Sequence, residues 1–231
     1  MKTTRFEFGE YDVLAVPVLF DNFVYLVCRE GRAVLVDAGE AKPVFKTLEQ
    51  ENLRLTNVLI THAHHDHVGG CRAIVDRLGV QSTSPGVEAG EFELLGTPCH
   101  ALSTPGHMAV HKCYHFPELG ILFTGDTIIN GACGRILGGT AGQYYSSLQA
   151  ICELPDETRL FGGHDYLVEN MEFALSTEPD NPDMLARRNL YQQDPARAIF
   201  APLAEEKKTN PFLRAGSLEE FIELRSRKDR F

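Results

Sequence analysis

The sequence predicts a layered α/β domain followed by a small helical appendage. Three observations carry this: about ten short β-rich segments, helical patterns interspersed among them, and a purely helical pattern after His164. Phe6 to Phe20, Phe23 to Cys28 and Ala33 to Asp37 are rich in Val, Leu, Phe and Tyr and are separated by Asp21-Asn22 and Glu30-Gly31-Arg32, so they read as a strand meander. Pro43 to Asn52 turns helical, Leu55 to Ile60 is a short buried strand, and Gly69 to Leu78 is again helical. Further strands are expected at Val80 to Thr83, Phe92 to Leu95, His100 to Ser103, Lys112 to Phe116, Gly120 to Thr124 and Arg159 to Phe161, with a helix at Gln143 to Glu153. Beyond His164, Tyr166 to Leu175, Pro182 to Gln192 and Ser217 to Arg227 read as helices, with loops carrying Pro179, Pro182, Pro202 and Pro211. The expected division is therefore 1–167 for the layered domain and 168–231 for the helical region.

Composition narrows the function classes. The 231 residues are 43% hydrophobic and 23% charged, which is ordinary for a globular chain that buries a core. The longest apolar run, Val13 to Phe20, has eight residues and contains Pro17, far short of the roughly 20 that span a bilayer. The N-terminus passes directly into charged and alternating sequence, so a cytoplasmic location is expected. The six cysteines form no CxxC pair and are expected as thiols. A net charge of -10 argues against nucleic-acid and anionic-membrane partners. The charge is uneven: residues 182–231 carry 10 Lys and Arg against 8 Asp and Glu, whereas the preceding chain carries 12 against 24.

The most informative segment is Thr61-His62-Ala63-His64-His65-Asp66-His67-Val68-Gly69-Gly70, which follows a strand and precedes a helix. Four histidines and an aspartate within six residues can turn several imidazole and carboxylate donors toward one point, chemistry suited to zinc, iron or manganese. Later donors sit at Thr104-Pro105-Gly106-His107, Phe123-Thr124-Gly125-Asp126-Thr127 and Gly162-Gly163-His164-Asp165, at the ends of apolar runs or beside glycines. Together these make seven candidate ligands, too many for one tetrahedral ion and suited to two that share a carboxylate.

These segments and their order resemble the metallo-β-lactamase superfamily, which implies an αββα four-layer sandwich with metals at its edge. Cys133-Gly134-Arg135, Gly163-His164-Asp165-Tyr166, Glu178-Pro179, Thr209-Asn210-Pro211-Phe212-Leu213-Arg214 and the terminal Arg225-Ser226-Arg227-Lys228-Asp229-Arg230-Phe231 further resemble glyoxalase II, the hydroxyacylglutathione hydrolases. That resemblance implies one divalent metal at His62, His64 and His107, a second at Asp66, His67 and His164, and Asp126 bridging them, with zinc first and iron or manganese as alternatives. It places Asp37 behind the ligands, matches His65 to none of them, and sets His111 outside the ligand shell.

The implied reaction is hydrolysis of a glutathione thioester by a hydroxide held between the metals, with Asp66 and Asp126 holding it. A thiolate leaves readily because its conjugate acid has a pKa of about 8.5. Arg225 and Lys228 stand at i, i+3 on an expected helix and match the pair that binds glutathione's glycine carboxylate, while Arg135 and Tyr166 match contacts to its peptide backbone and thiol region. Leu137 and Gly138 depart from the Tyr and Glu common in that family, which removes one hydrogen bond to glutathione. The alternative is a mononuclear-iron persulfide dioxygenase of the same superfamily, with His62, His107 and Asp126 as its ligands. A monomer or weak homo-oligomer is expected.

Overall fold

A computed structural model describes residues 2–83 and 90–231, which divide into two compact units: 1–102 with 114–119, and 103–113 with 120–231. In the first unit, β1 (Thr4–Phe8), β2 (Tyr11–Val18), β3 (Asn22–Arg29) and β4 (Arg32–Val36) form an antiparallel meander. The run expected as one strand from Phe6 to Phe20 is broken by Gly9, whose φ of +64° makes a turn that β-geometry does not allow. α1 (Ala41–Gln50) then carries the chain to β5 (Arg54–Leu59), which pairs parallel to β4, and β6 (Gln81–Ser82) pairs parallel to β5. The six strands lie in sequence order.

This sheet is buried on both faces, since successive residues Val13, Leu14, Ala15 and Val16 are all essentially inaccessible. One face, carrying Leu14, Val16, Val24, Leu26 and Leu35, packs on Val44 and Leu48 of α1 and on Ile74 of α3 (Cys71–Leu78). Two apolar helix stripes thus cover the sheet whose strand ends carry the first donors. The helix expected over Gly69–Leu78 is α3, which starts two residues later, and an additional short helix, α2 (His65–Val68), precedes it across Gly69-Gly70. β7 (Gly90–Leu94) and β8 (Thr97–Ser103) pair antiparallel in the same unit, and β9 runs Lys112–Phe116.

In the second unit, β10 (Ile121–Gly125) and β11 (Arg159–Gly162) pair parallel, joined through α4 (Ala141–Cys152). A reciprocal capping box between Thr140 and Gln143 starts α4. After β11 come α5 (Leu167–Thr177), α6 (Pro182–Gln193), α7 (Pro195–Ile199), α8 (Leu203–Thr209), α9 (Pro211–Arg214) and α10 (Leu218–Lys228). α5, α6 and α10 match the three expected helices to within two residues. The short α7 and α9 replace expected loops because Pro195 and Pro211 stand at the first helical position, behind Asp194 and Asn210 side chains that accept backbone N–H groups. Among the described residues no helix is long and apolar enough to cross a membrane.

Candidate metal centre

The first unit contributes His62, His64, Asp66 and His67 and the second His107, Asp126 and His164, donors of the kind that hold metal ions. In the first unit, Asp37 directly follows β4, and its φ of +60° is uncommon for a residue with a side chain and turns its carboxylate inward. Asp37 accepts the backbone N–H of Thr61 at 2.8 Å, the Thr61 hydroxyl at 2.9 Å and His67 Nδ1–H at 2.8 Å. His62 Nδ1 lies 3.1 Å from the same Thr61 hydroxyl, so Asp37 fixes one ring directly and the other through Thr61. Both imidazoles are thereby committed at Nδ1 and offer Nε2 as the coordinating nitrogen.

His62 Nε2 faces His64 Nδ1 at 2.9 Å, and His67 Nε2 faces Asp66 Oδ2 at 3.7 Å. Donor atoms about 2.0–2.1 Å from a tetrahedral zinc lie about 3.3 Å apart, so both pairs have the spacing of neighbours on one ion. Asn22 Nδ2 donates to Asp66 Oδ2 at 2.8 Å. The loop closes on the β4 end through Ala38 N–H to His67 O and Gly70 N–H to Ala38 O, at 2.8 and 2.7 Å. Only glycine fits at 39, where a Cβ would stand 2.0 Å from Asp66 O. His65 is exposed.

In the second unit, the buried Asp126 follows β10 and presents its two carboxylate oxygens to different rings. Oδ2 is 3.5 Å from His107 Nε2, and Oδ1 is 3.5 Å from His164 Nε2. His107 Nδ1–H donates to Arg135 O at 2.8 Å, which again leaves Nε2 for coordination. The Asp126 backbone is held at both ends: its N–H donates to His111 Nε2 at 3.2 Å, and its carbonyl accepts the Tyr144 hydroxyl at 2.8 Å. Burial raises the Tyr144 phenol well above its ordinary pKa, keeping it a donor. His111 therefore supports the loop through the Asp126 backbone.

Tyr166 is half-buried and stacks on His164, with ring centroids 4.6 Å apart and planes 15° from parallel. The Arg135 side chain is exposed, and so is Leu137, whose backbone N–H donates to His107 O. Lys228 is half-buried, with its ammonium 5.0 Å from the Phe173 ring centroid. Desolvation, then the neighbouring Arg225, pull its pKa down to about 8. Arg225 is buried deeper than a surface anchor would be: it donates to Cys133 O at 2.7 Å, pairs with Asp229 at 2.9 Å and stacks over Phe212. The sequence reading missed Asn22, Tyr144 and Asn130, whose Nδ2 donates to His164 O at 2.6 Å. The Asn130-Gly131 turn signal four residues after Asp126 could have pointed to the last of these.

Comparison with known proteins places these features among others. The Metallo-beta-lactamase superfamily description matches residues 18–99 and 85–164, and the description of the hydroxyacylglutathione hydrolase C-terminus matches residues 165–231. A hydroxyacylglutathione hydrolase of Chromohalobacter salexigens is 35% identical, with 95% of this chain and 99% of that protein covered. The crystal structure of ETHE1 from Myxococcus xanthus aligns with a TM-score of 0.70 and 25% identity, covering 98% of this chain and 90% of that one. That of TTHA1623 in a di-iron-bound form aligns at 0.57 and 26%, covering 64% and 90%. The expected αββα sandwich with a helical C-terminal region is therefore the fold of this chain.

Proposed function

Because this chain belongs to the hydroxyacylglutathione hydrolase family of the metallo-β-lactamase superfamily, we propose that it hydrolyses S-2-hydroxyacylglutathione thioesters, such as S-D-lactoylglutathione, to a 2-hydroxy acid and glutathione. Two divalent metal ions would assist, with zinc foremost and iron or manganese as alternatives. His62, His64 and His107 would hold one ion, and Asp66, His67 and His164 the other. Asp126 would bridge them. The observation that carries the reading is the Asp126 carboxylate, whose two oxygens each stand 3.5 Å from the coordinating nitrogen of a different histidine. The di-iron form of TTHA1623 lends support from a structural neighbour.

When bound, such ions lower the pKa of a water toward neutrality and polarise the scissile carbonyl. The chain's own residues do the rest. Asp37 holds His67 and, through Thr61, His62 in the tautomers that leave Nε2 as the donor. Asp66 and Asp126 orient the attacking water by accepting its hydrogen bonds. The thiolate departs without a dedicated acid. Lys228, protonated below about pH 8, supplies positive charge for the glycine carboxylate of glutathione. Arg225 adds to that field while anchoring the Cys133–Gly134 backbone, and Arg135 and Tyr166 contact the peptide and the thiol region. A cytoplasmic site of action fits this substrate, since the cytosol keeps glutathione reduced. The protein would work as a monomer or weak homo-oligomer.

The mononuclear-iron dioxygenase alternative leaves Asp66, His67 and His164 with no ion to hold, and the match over residues 165–231 favours the hydrolase. Free-thiol release from S-D-lactoylglutathione tests the proposal. Hydrolysis that a chelator abolishes and zinc restores is expected. Oxygen uptake on glutathione persulfide without thiol release would overturn it in favour of the dioxygenase.

A further inference from the structure

The second unit contains a buried ion pair that the thioester reaction does not call for. Arg187 of α6 and Glu206 of α8 are each 1% exposed and meet at 2.5 Å. Arg187 also donates through Nε to Ala198 O at 3.0 Å and through Nη1 to Thr209 Oγ1 at 2.7 Å. Burying two charges is costly, so a pair this well satisfied is best explained by what it holds in place. Glu206 holds a turn: both carboxylate oxygens accept Gly131 N–H at 3.0 Å, and Oε2 also accepts Asn210 Nδ2 at 3.0 Å, which in turn donates to Ala132 O at 3.0 Å.

That turn is Ile129-Asn130-Gly131-Ala132, closed by reciprocal backbone hydrogen bonds of 2.9 and 3.0 Å between its outer residues. Asn130 and Gly131 have φ of +23° and +88°, and positive φ at both central positions is the demand that Asn-Gly meets best. A Cβ at 131 would also meet Met171 Cε at 2.2 Å. Asn170 of α5 donates to the carbonyls of Ile129 and Asn130, so the turn is held from α5, from α8 and from Asn210 at the α8–α9 junction. Its tip does one thing for the rest of the unit. Asn130 Nδ2 donates to His164 O at 2.6 Å, and Asn130 Oδ1 accepts Tyr166 N–H at 3.1 Å. One planar amide thus clamps the backbone on both sides of Asp165, whose carboxylate accepts the Tyr191 hydroxyl of α6 at 2.9 Å.

We infer that Asn130, anchored by the Arg187–Glu206 pair, is a positioning residue that fixes His164 against Asp126, so that the C-terminal helices govern occupancy of the metal site to which His164 contributes. The turn begins three residues after Asp126 and its side chain grips His164, so a single rigid element sets the spacing of these two donors. This inference rests on the ligand assignment proposed above.

Zinc affinities of the purified full-length protein, measured by competition with a chromophoric chelator, test it with Asn130→Ala and the equal-sized Asn130→Asp, which keeps the acceptor but loses the donor. Both variants should keep the native circular dichroism spectrum. One of the two zinc dissociation constants should rise about 10- to 100-fold while the other stays within about twofold, the size of effect seen when a group behind a ligand is removed. Asn181→Ala, which removes the N-cap of α6, should lower the melting temperature and leave both zinc constants unchanged. Folded Asn130 variants with both constants unchanged would overturn the inference. So would an equal weakening of zinc binding in Asn181→Ala, which would reduce the effect to general stability. A native protein that binds fewer than two zinc ions would overturn the ligand assignment itself.

Discussion

The two donor groups are built in opposite ways. In the first unit His62, His64, Asp66 and His67 come from one stretch of six residues, and a single carboxylate, Asp37, sets the tautomers of two of them. In the second unit His107, Asp126 and His164 are contributed by three separate segments. They are brought into register by side-chain-to-backbone hydrogen bonds from His111, Tyr144 and Asn130. A clustered donor set needs one orienting group, whereas a dispersed one needs a scaffold, and the scaffold includes a buried ion pair and a turn held from α5, α8 and the α8–α9 junction. The consequence is a difference in where each group is vulnerable.

Removing the carboxylate on which the dispersed set converges should have the largest effect. Asp126→Ala should cut thiol release by at least about 10³-fold, the scale of a metal's several kcal/mol contribution, with loss of bound metal; retention of both would show that Asp126 bridges nothing. Next comes the scaffold itself. Glu206→Ala strands the Arg187 charge and should cost about 3–5 kcal/mol in denaturant unfolding, whereas Asp156→Ala, which removes the exposed partner of Lys207, should cost less than about 1 kcal/mol. Equal costs would erase the contrast between scaffolded and surface pairs. In the clustered set, Asp37→Ala should weaken zinc binding about 10- to 100-fold through loss of ring orientation.

A smaller effect concerns substrate capture. Lys228 carries its charge below a pKa of about 8, so KM for an anionic glutathione thioester should rise as pH passes upward through that value, with kcat less affected. In Lys228→Met that rise should vanish and KM should be several-fold higher at pH 7. The linkage to stability has a definite sign. Because the folded state holds this ammonium less well than the unfolded chain, whose lysine titrates near 10.4, this group makes the protein more stable as pH rises from about 8 toward 10. The smallest effect is local to α4: Thr140→Ala removes the capping box and should cost about 1 kcal/mol by thermal unfolding.

The same contrast decides what could be read from the sequence. THAHHDH is legible because its donors are contiguous and end a strand, so period, chemistry and place agree. His107, Asp126 and His164 are each ordinary on their own and become readable through their order and the resemblance it carries. The supporting residues are the least legible. Asn22, Tyr144 and Asn130 act through a backbone carbonyl, a backbone N–H or another side chain's oxygen, and which of these lies near is a product of folding that no spacing encodes. The basic C-terminal pair shows a different limit. Arg225 and Lys228 do fall on one helix, but the i, i+3 pattern does not reveal that Arg225 is buried on Cys133 while Lys228 is only half-covered. The longer strands and helices were recovered; Gly9 splits β1 from β2, Pro195 and Pro211 open helices where loops were expected, and the short α2 and α8 were not expected.

The most direct test of the two-ion account is activity as a function of zinc added back to the metal-free protein, with thiol release from S-D-lactoylglutathione as the readout. The account predicts a rate that climbs until two equivalents per chain are bound and then levels. A rate already maximal at one equivalent, with no further gain at two, would contradict it.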